Sequence, residues 1–165
     1  AVRTGMLEAK GRYRLFMDAD HSVSIDHLDQ ILPILGEQQD LIIGSRNIEG
    51  SVISKPQFFF KRIAGYLGNL YIRALIRTGV KDSQCGFKIF TDNSVNSLFS
   101  MQRIVGWAFD IEIISLANRL GHKIKEVPIT WVDGPKSRVG FKAYIQVLWD
   151  TLRIRWWLWR DSHRE

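Results

Sequence analysis

The chain has 165 residues, 45% apolar and 24% charged, enough for one hydrophobic core and too apolar for a disordered segment. A net charge of +6 favours an anionic partner: nucleic acid, a phosphorylated substrate or acidic lipid headgroups. The lone cysteine, Cys85, excludes an internal disulfide framework and a cysteine-rich zinc site, and no apolar run reaches the about 18–20 residues of a membrane-spanning helix.

Val2, Met6 and Ala9 recur at helical spacing, so residues 1–11 are expected to close an amphipathic helix capped by Gly11. Position 1 is not methionine, and a helical opening leads us to expect that further chain precedes it. Tyr13–Met17 predicts a buried strand that leaves its sheet at Asp18-Ala19-Asp20. Ser24 is placed to cap a helix reaching about Leu35, with Asp26 in its first turn. Asp40–Gly44 predicts a second buried strand, ending at Ser45-Arg46. Helix followed by apolar strand, twice, is the pattern of a parallel α/β sheet.

Residues 47–57 predict an exposed loop, followed by a long helix from about Phe58 to Arg77. Val80–Phe90 predicts a loop running into a short strand. Asp92 or Asn93 is expected to cap a helix to about Met101, and Phe109–Leu120 predicts another helix. Lys123–Val132 alternates as a strand does, with Pro128 marking an edge or a break. Residues 133–140 form a basic, turn-rich stretch. The last element, about Phe141 to Trp159, places Phe141, Tyr144, Ile145, Leu148, Leu152, Trp156 and Trp159 on one face. Lys142, Gln146, Asp150, Arg153 and Arg160 fall mainly on the other.

Several clusters carry chemistry. Asp18 and Asp20 lie one residue apart just after a strand, where ligands bind in open α/β sheets. Such a pair can hold Mg²⁺ or Mn²⁺ and, through it, a diphosphate; two solvated loop aspartates are the plain alternative. Arg46 follows the second strand and presents a fork of donors that fits phosphate. Lys61 and Arg62 at the start of the long helix could add to it, as could Arg138 in the loop Lys136-Ser137-Arg138. Asp82, in a polar loop beside Gly86, could act as a base, an orienting acceptor or a turn cap. Asp110 and Glu112 in Trp107-Ala-Phe-Asp-Ile-Glu112 face different directions on a helix, so one can point into a site while the other is structural. Cys85 reads as a small buried residue, and the four histidines show no metal-ligand spacing. Four tryptophans (Trp149, Trp156, Trp157, Trp159) with interleaved arginines suit a water–lipid boundary, against the alternative of a helix packed on the core.

Phe16-Met-Asp-Ala-Asp20, Gly44-Ser-Arg46, Asp82-Ser-Gln-Cys-Gly-Phe-Lys88 and Trp107-Ala-Phe-Asp-Ile-Glu112 occur in an order that resembles the family-2 inverting glycosyltransferases acting on polyprenyl phosphates. The resemblance covers nearly all of the chain. It implies a GT-A fold, a mainly parallel Rossmann-like sheet with helices on both faces. Residues 1–140 would be the carboxyl-terminal part of that domain and 141–165 an interfacial or juxtamembrane helix. It implies Mg²⁺ or Mn²⁺ and donor diphosphate on Asp18 and Asp20, acceptor phosphate near Arg46 and Arg62, and Asp82 near the reacting groups; Arg138 is a further candidate for that phosphate from the basic loop. Ser22 stands where some mannose-transferring relatives carry a glutamine, which favours a glucosyl donor. The family's base- and ribose-binding region has no counterpart here, and roughly 80–100 preceding residues are expected.

The function implied is transfer of a sugar, in the first instance glucose, from a UDP-sugar to a dolichyl-type phosphate. The expected partners are a nucleotide-sugar donor, a polyprenyl-phosphate acceptor and a membrane surface, with the site on the cytoplasmic side. Transfer to a polysaccharide or soluble acceptor would instead need a general base, for which Asp110 is the candidate. An inactive fragment is a third possibility. A nucleic-acid-binding module would need basic residues along one groove with exposed aromatics. The scattered basic residues do not favour it, and no nucleic-acid partner is expected.

Overall fold

The computed structural model describes residues 1–36, 38–54, 59–76, 78–132 and 140–163, excluding the side chains of 59–62 and 141. Helix α1 (Val2–Glu8) leads into β1 (Tyr13–Met17), and α2 (Leu28–Ile31) precedes β2 (Leu41–Ser45). After β3 (Val52–Ile53) come α3 (Phe59–Ile76), β4 (Phe87–Thr91), α4 (Asp92–Met101) and α5 (Phe109–Arg119). The chain closes with β5 (Ile124–Pro128), β6 (Thr130–Trp131) and α6 (Phe141–Ser162).

The main sheet has the order β1-β4-β2-β5, and β3 and β6 form a separate parallel pair. Strands β1, β2 and β5 run in one direction; β4 lies between β1 and β2 and runs against both. The sheet is therefore mixed. A parallel return would need α3 to cross a face of the sheet. Helix α3 packs on α6 instead, so the chain re-enters at the edge where β2 ended and β4 must run back.

Alternating strand residues feed two apolar layers. Leu41, Ile43 and Phe90 face α4 and α5, with Val95, Leu98, Phe99, Ile113, Ile114 and Ala117. Ile42, Phe87, Ile89 and Val127 face the other way, onto Val23, Ile31 and Ile129. A third cluster of Ile72, Ala108, Ile111 and Ile154 joins α3, α5 and α6. Helices thus cover both faces of the sheet.

Several local expectations change. Helix α1 ends at Glu8 with Ala9 as its cap, two residues before Gly11. Ser24 does cap, accepting from the Asp26 amide, but the helix behind it breaks into a 3₁₀ turn, one α-turn and a second 3₁₀ turn around Pro33. Helix α4 is capped by Thr91, whose hydroxyl accepts from the Ser94 amide; Asp92 instead pairs with buried Arg14. The 123–132 strand breaks after Pro128: Ile129 is buried and the chain passes into the second sheet.

Helix α6 packs by its less apolar face. Its buried residues are Asp150, Thr151 and Ile154, with Val147, Trp157 and Leu158 packed beside Ile154. The stripe Tyr144, Ile145, Leu148, Leu152, Trp156 and Trp159 is exposed, and so is Trp149 at 63%. Helix α3 likewise exposes Ile63, Tyr66, Leu67 and Leu70. Two packed helices each turn an apolar stripe to the outside.

Candidate active site

Strands β1 and β2 end, and β4 begins, along one edge of the sheet, which brings Asp18, Arg46 and the 82–86 loop together. The Asp18 amide donates to the Gly86 carbonyl at 2.9 Å, extending the β1–β4 ladder by one pair. Its side chain then leans across Gly86. Burial, then the negative charge of Asp20, push the Asp18 carboxyl above its ordinary range, against Lys88 and Arg46. Asp20 is held below the usual range because the Ser22 hydroxyl and amide donate to its Oδ1, at 2.6 and 3.0 Å. His21, at φ 57° in the left-handed region, makes the tight turn that returns Ser22 to Asp20. The Val132 amide to the Ser22 carbonyl, and a bridge between Val23 and Trp131, tie this loop to β6.

Arg46 is gripped from two sides. Its Nε and Nη2 donate to Oδ2 and Oδ1 of Asp82, at 2.7 and 2.8 Å, and its amide donates to the same Oδ2 at 3.0 Å. The guanidinium lies over Trp131, 5.6 Å from the ring centre. Asp82 is buried, and although burial opposes its charge, Arg46 holds its carboxyl below the ordinary range. Glu126 of β5 braces this loop, accepting from the amides of Lys81 and Asp82 at 2.9 and 3.1 Å. Asp82 therefore holds Arg46 in place as an ionised acceptor; its oxygens are committed, which leaves it ill suited to act as a base. With 28% of its side chain exposed, Arg46 remains within reach of an anion.

Asp110, at the start of α5, is buried and receives Lys88 Nζ on Oδ1 at 2.6 Å. Burial raises its carboxyl above the ordinary range while Lys88 pulls it down. Lys88 also donates to the Cys85 carbonyl. Asp110 is thus an ion-pair partner inside the fold. Glu112 turns the other way and accepts from the amides of Arg103 and Ile104, closing the turn before α5. Cys85 is buried and its thiol is pushed up to about 12, so it carries no thiolate chemistry. Arg62 belongs to α3 but its side chain lies outside the described residues, and Arg138, with Lys136, lies wholly outside them.

Asp18, Arg46, Asp82, Lys88 and Asp110 form one electrostatic cluster, each feeling the charge of others in it. Its open end carries Asp18 and Asp20. Two hard carboxylate groups, Asp18 partly buried and also feeling the charge of Asp20, could hold a divalent cation whose other ligands would come from water and phosphate. Among the described residues no group of three or more His, Cys, Asp or Glu could hold a metal by itself. Lys88, Trp131 and Glu126 are site residues that the sequence reading passed over. A lone lysine inside the apolar run Phe87–Phe90 was the available signal, because a charge in a buried strand needs a buried partner. Nothing local marks Trp131 or Glu126.

No protein-family model matches the chain. Curated relatives do. A dolichyl-phosphate beta-glucosyltransferase of Dictyostelium discoideum is 34% identical over 162 residues, 94% of this chain and 49% of the relative. The protein of that name from Drosophila melanogaster is 34% identical over 163 residues, 93% of this chain and 49% of the relative. The one from Homo sapiens is 28% identical over 163 residues, 94% and 50% respectively. The chain spans about half the length of the curated relatives it matches. Along almost its entire length, then, the chain is similar to about half of each of these proteins named dolichyl-phosphate beta-glucosyltransferase.

Proposed function

We propose that this chain carries the metal- and acceptor-binding part of a glycosyltransferase that moves glucose from UDP-glucose to a dolichyl-type phosphate with inversion. The observation that carries the reading is the meeting, at one strand-end edge, of a carboxylate pair with an arginine fixed by Asp82 and Trp131. In the reaction an acceptor phosphate oxygen attacks the anomeric carbon as the bond to UDP breaks, and the bonding electrons leave with the diphosphate. A phosphate monoester has its second pKa near about 6, so the attacking oxygen is already ionised at neutral pH. The step needs no general base, in keeping with Asp82 and Asp110 both being tied to cations. Arg46 orients the acceptor phosphate and balances its charge. Mg²⁺ or Mn²⁺ on Asp18 and Asp20 would neutralise charge on the leaving diphosphate.

The acceptor is a membrane lipid, and the exposed stripes of α3 and α6 suit the membrane boundary. Tryptophans at headgroup depth and the exposed cations Arg73, Lys142 and Arg155 would meet lipid phosphates. We place the site on the cytoplasmic side, following the resemblance.

The test is transfer from labelled UDP-glucose to dolichyl phosphate by the full-length protein. Arg46→Ala is expected to raise the KM for dolichyl phosphate about tenfold or more, the scale of a lost charge-assisted hydrogen bond. Asp20→Asn is expected to lower kcat and weaken the Mn²⁺ dependence. Wild-type kinetics in both would overturn the reading.

A further inference from the structure

We infer that Gly86 is a positioning residue for Asp18: the space where a side chain would stand at 86 is the seat of the Asp18 carboxylate. The inference rests on the metal-bearing role proposed for Asp18 and adds a residue to it. A β-carbon on Gly86 would overlap Cγ and Oδ2 of Asp18 and lie 2.7 Å from Oδ1. The three atoms nearest to it all belong to that one side chain. The backbone of Gly86 lies outside the left-handed region, so its own conformation does not call for glycine. Space alone does.

Asp18 has no other way to yield. Its amide is bonded to the Gly86 carbonyl, and the next pair, Met17 and Phe87, is locked in the ladder. The backbones on both sides are fixed, so a methyl group at 86 can be accommodated only by turning the carboxylate away. Turning it moves the carboxylate relative to Asp20, Lys88 and Arg46, whose charges it feels. Gly44, on the neighbouring strand, differs. A β-carbon there would meet Ile129, Cys85 and Phe87 at 3.0, 3.2 and 3.4 Å, which are core atoms.

Gly86→Ala is therefore a way to displace one carboxylate without removing it, while keeping the fold. The experiment uses the full-length protein and measures binding of Mn²⁺ with UDP by calorimetry, alongside transfer kinetics and thermal unfolding. Gly86→Ala is expected to unfold as wild type does, to bind Mn²⁺ with UDP about 10- to 100-fold more weakly, and to leave the KM for dolichyl phosphate unchanged. In an Asp18→Ala background it should add nothing, because the displaced group is gone. Gly44→Ala, which crowds the core, should lower stability instead. Loss of folding in Gly86→Ala that Asp18→Ala relieves would report the same contact. Wild-type binding in Gly86→Ala, an undiminished effect in the Asp18→Ala background, or misfolding that Asp18→Ala leaves uncorrected would each overturn the inference. Wild-type binding in Asp18→Ala alone would overturn the metal role first, and this inference with it.

Discussion

At the scale of residues, the site is a set of charges that constrain one another. Asp82 is ionised because Arg46 faces it, and Arg46 is fixed because Asp82 is buried and braced. Asp82→Asn breaks a pair with one buried partner, and a loss of about 3 kcal/mol in denaturant stability is expected. The sign with pH follows. A carboxyl held below its ordinary range in the folded protein binds its proton later than in the unfolded chain. Its stabilising contribution is present above about pH 4 and falls away as the pH drops through the lower, folded value. Urea titrations at several pH values should show that acid-side decline in wild type and a weaker one in Asp82→Asn. The sequence made Asp18, Asp20, Arg46, Asp82 and Asp110 visible as candidates, since each sits at or just beyond the end of a strand or helix or, for Asp82, in the polar loop before a strand. It could not divide their roles. Whether a carboxylate is free or committed depends on a partner 36 residues away for Asp82 and 22 for Asp110.

Among the elements, α6 shows that amphipathicity can be read from sequence while the face that packs cannot. The apolar stripe exists, but the face that packs holds Thr151 and Ile154 beside the paired Asp150 and Arg153. Periodicity says that a helix has an apolar side. It does not say which side another part of the molecule occupies. Ile154→Ala should therefore cost about 2–4 kcal/mol, and Leu152→Ala, on the exposed stripe, little. Thermal unfolding of the two variants separates the faces. Trp149→Glu with Trp156→Glu should leave stability unchanged and release the protein from vesicles in co-sedimentation. Helix α4 carries the same lesson on a smaller scale. Thr91→Ala, which removes the cap, should cost about 1 kcal/mol, whereas Asn93→Ala should not.

For the whole molecule, net charge and sheet direction are the two properties that matter. A charge of +6 predicts binding to vesicles rich in phosphatidylserine that weakens as salt rises from about 0.05 to 0.5 M, while an apolar contribution from α3 and α6 persists. Binding that ignores salt would leave the charge without that role. The antiparallel course of β4 is what makes the site compact. It begins where β1 and β2 end, so the 82–86 loop arrives beside Asp18 and Arg46 and is not left at the far edge. It also sets Lys88 one residue inside the sheet, facing Asp110 on α5.

Local chemistry was legible in the sequence alone: where most strands and helices lie, that a sheet is layered by helices, and which acidic and basic residues stand at or near element ends. These follow from periodicity, turn residues and side-chain type, which act over a few residues. The tertiary structure decided the rest: the reversed strand, the outward face of α6, the pairing that turns Asp82 and Asp110 into anchors, and the bare backbone beneath Asp18. Each of these is a contact between segments far apart in the chain, and a linear pattern holds no record of which distant groups will meet.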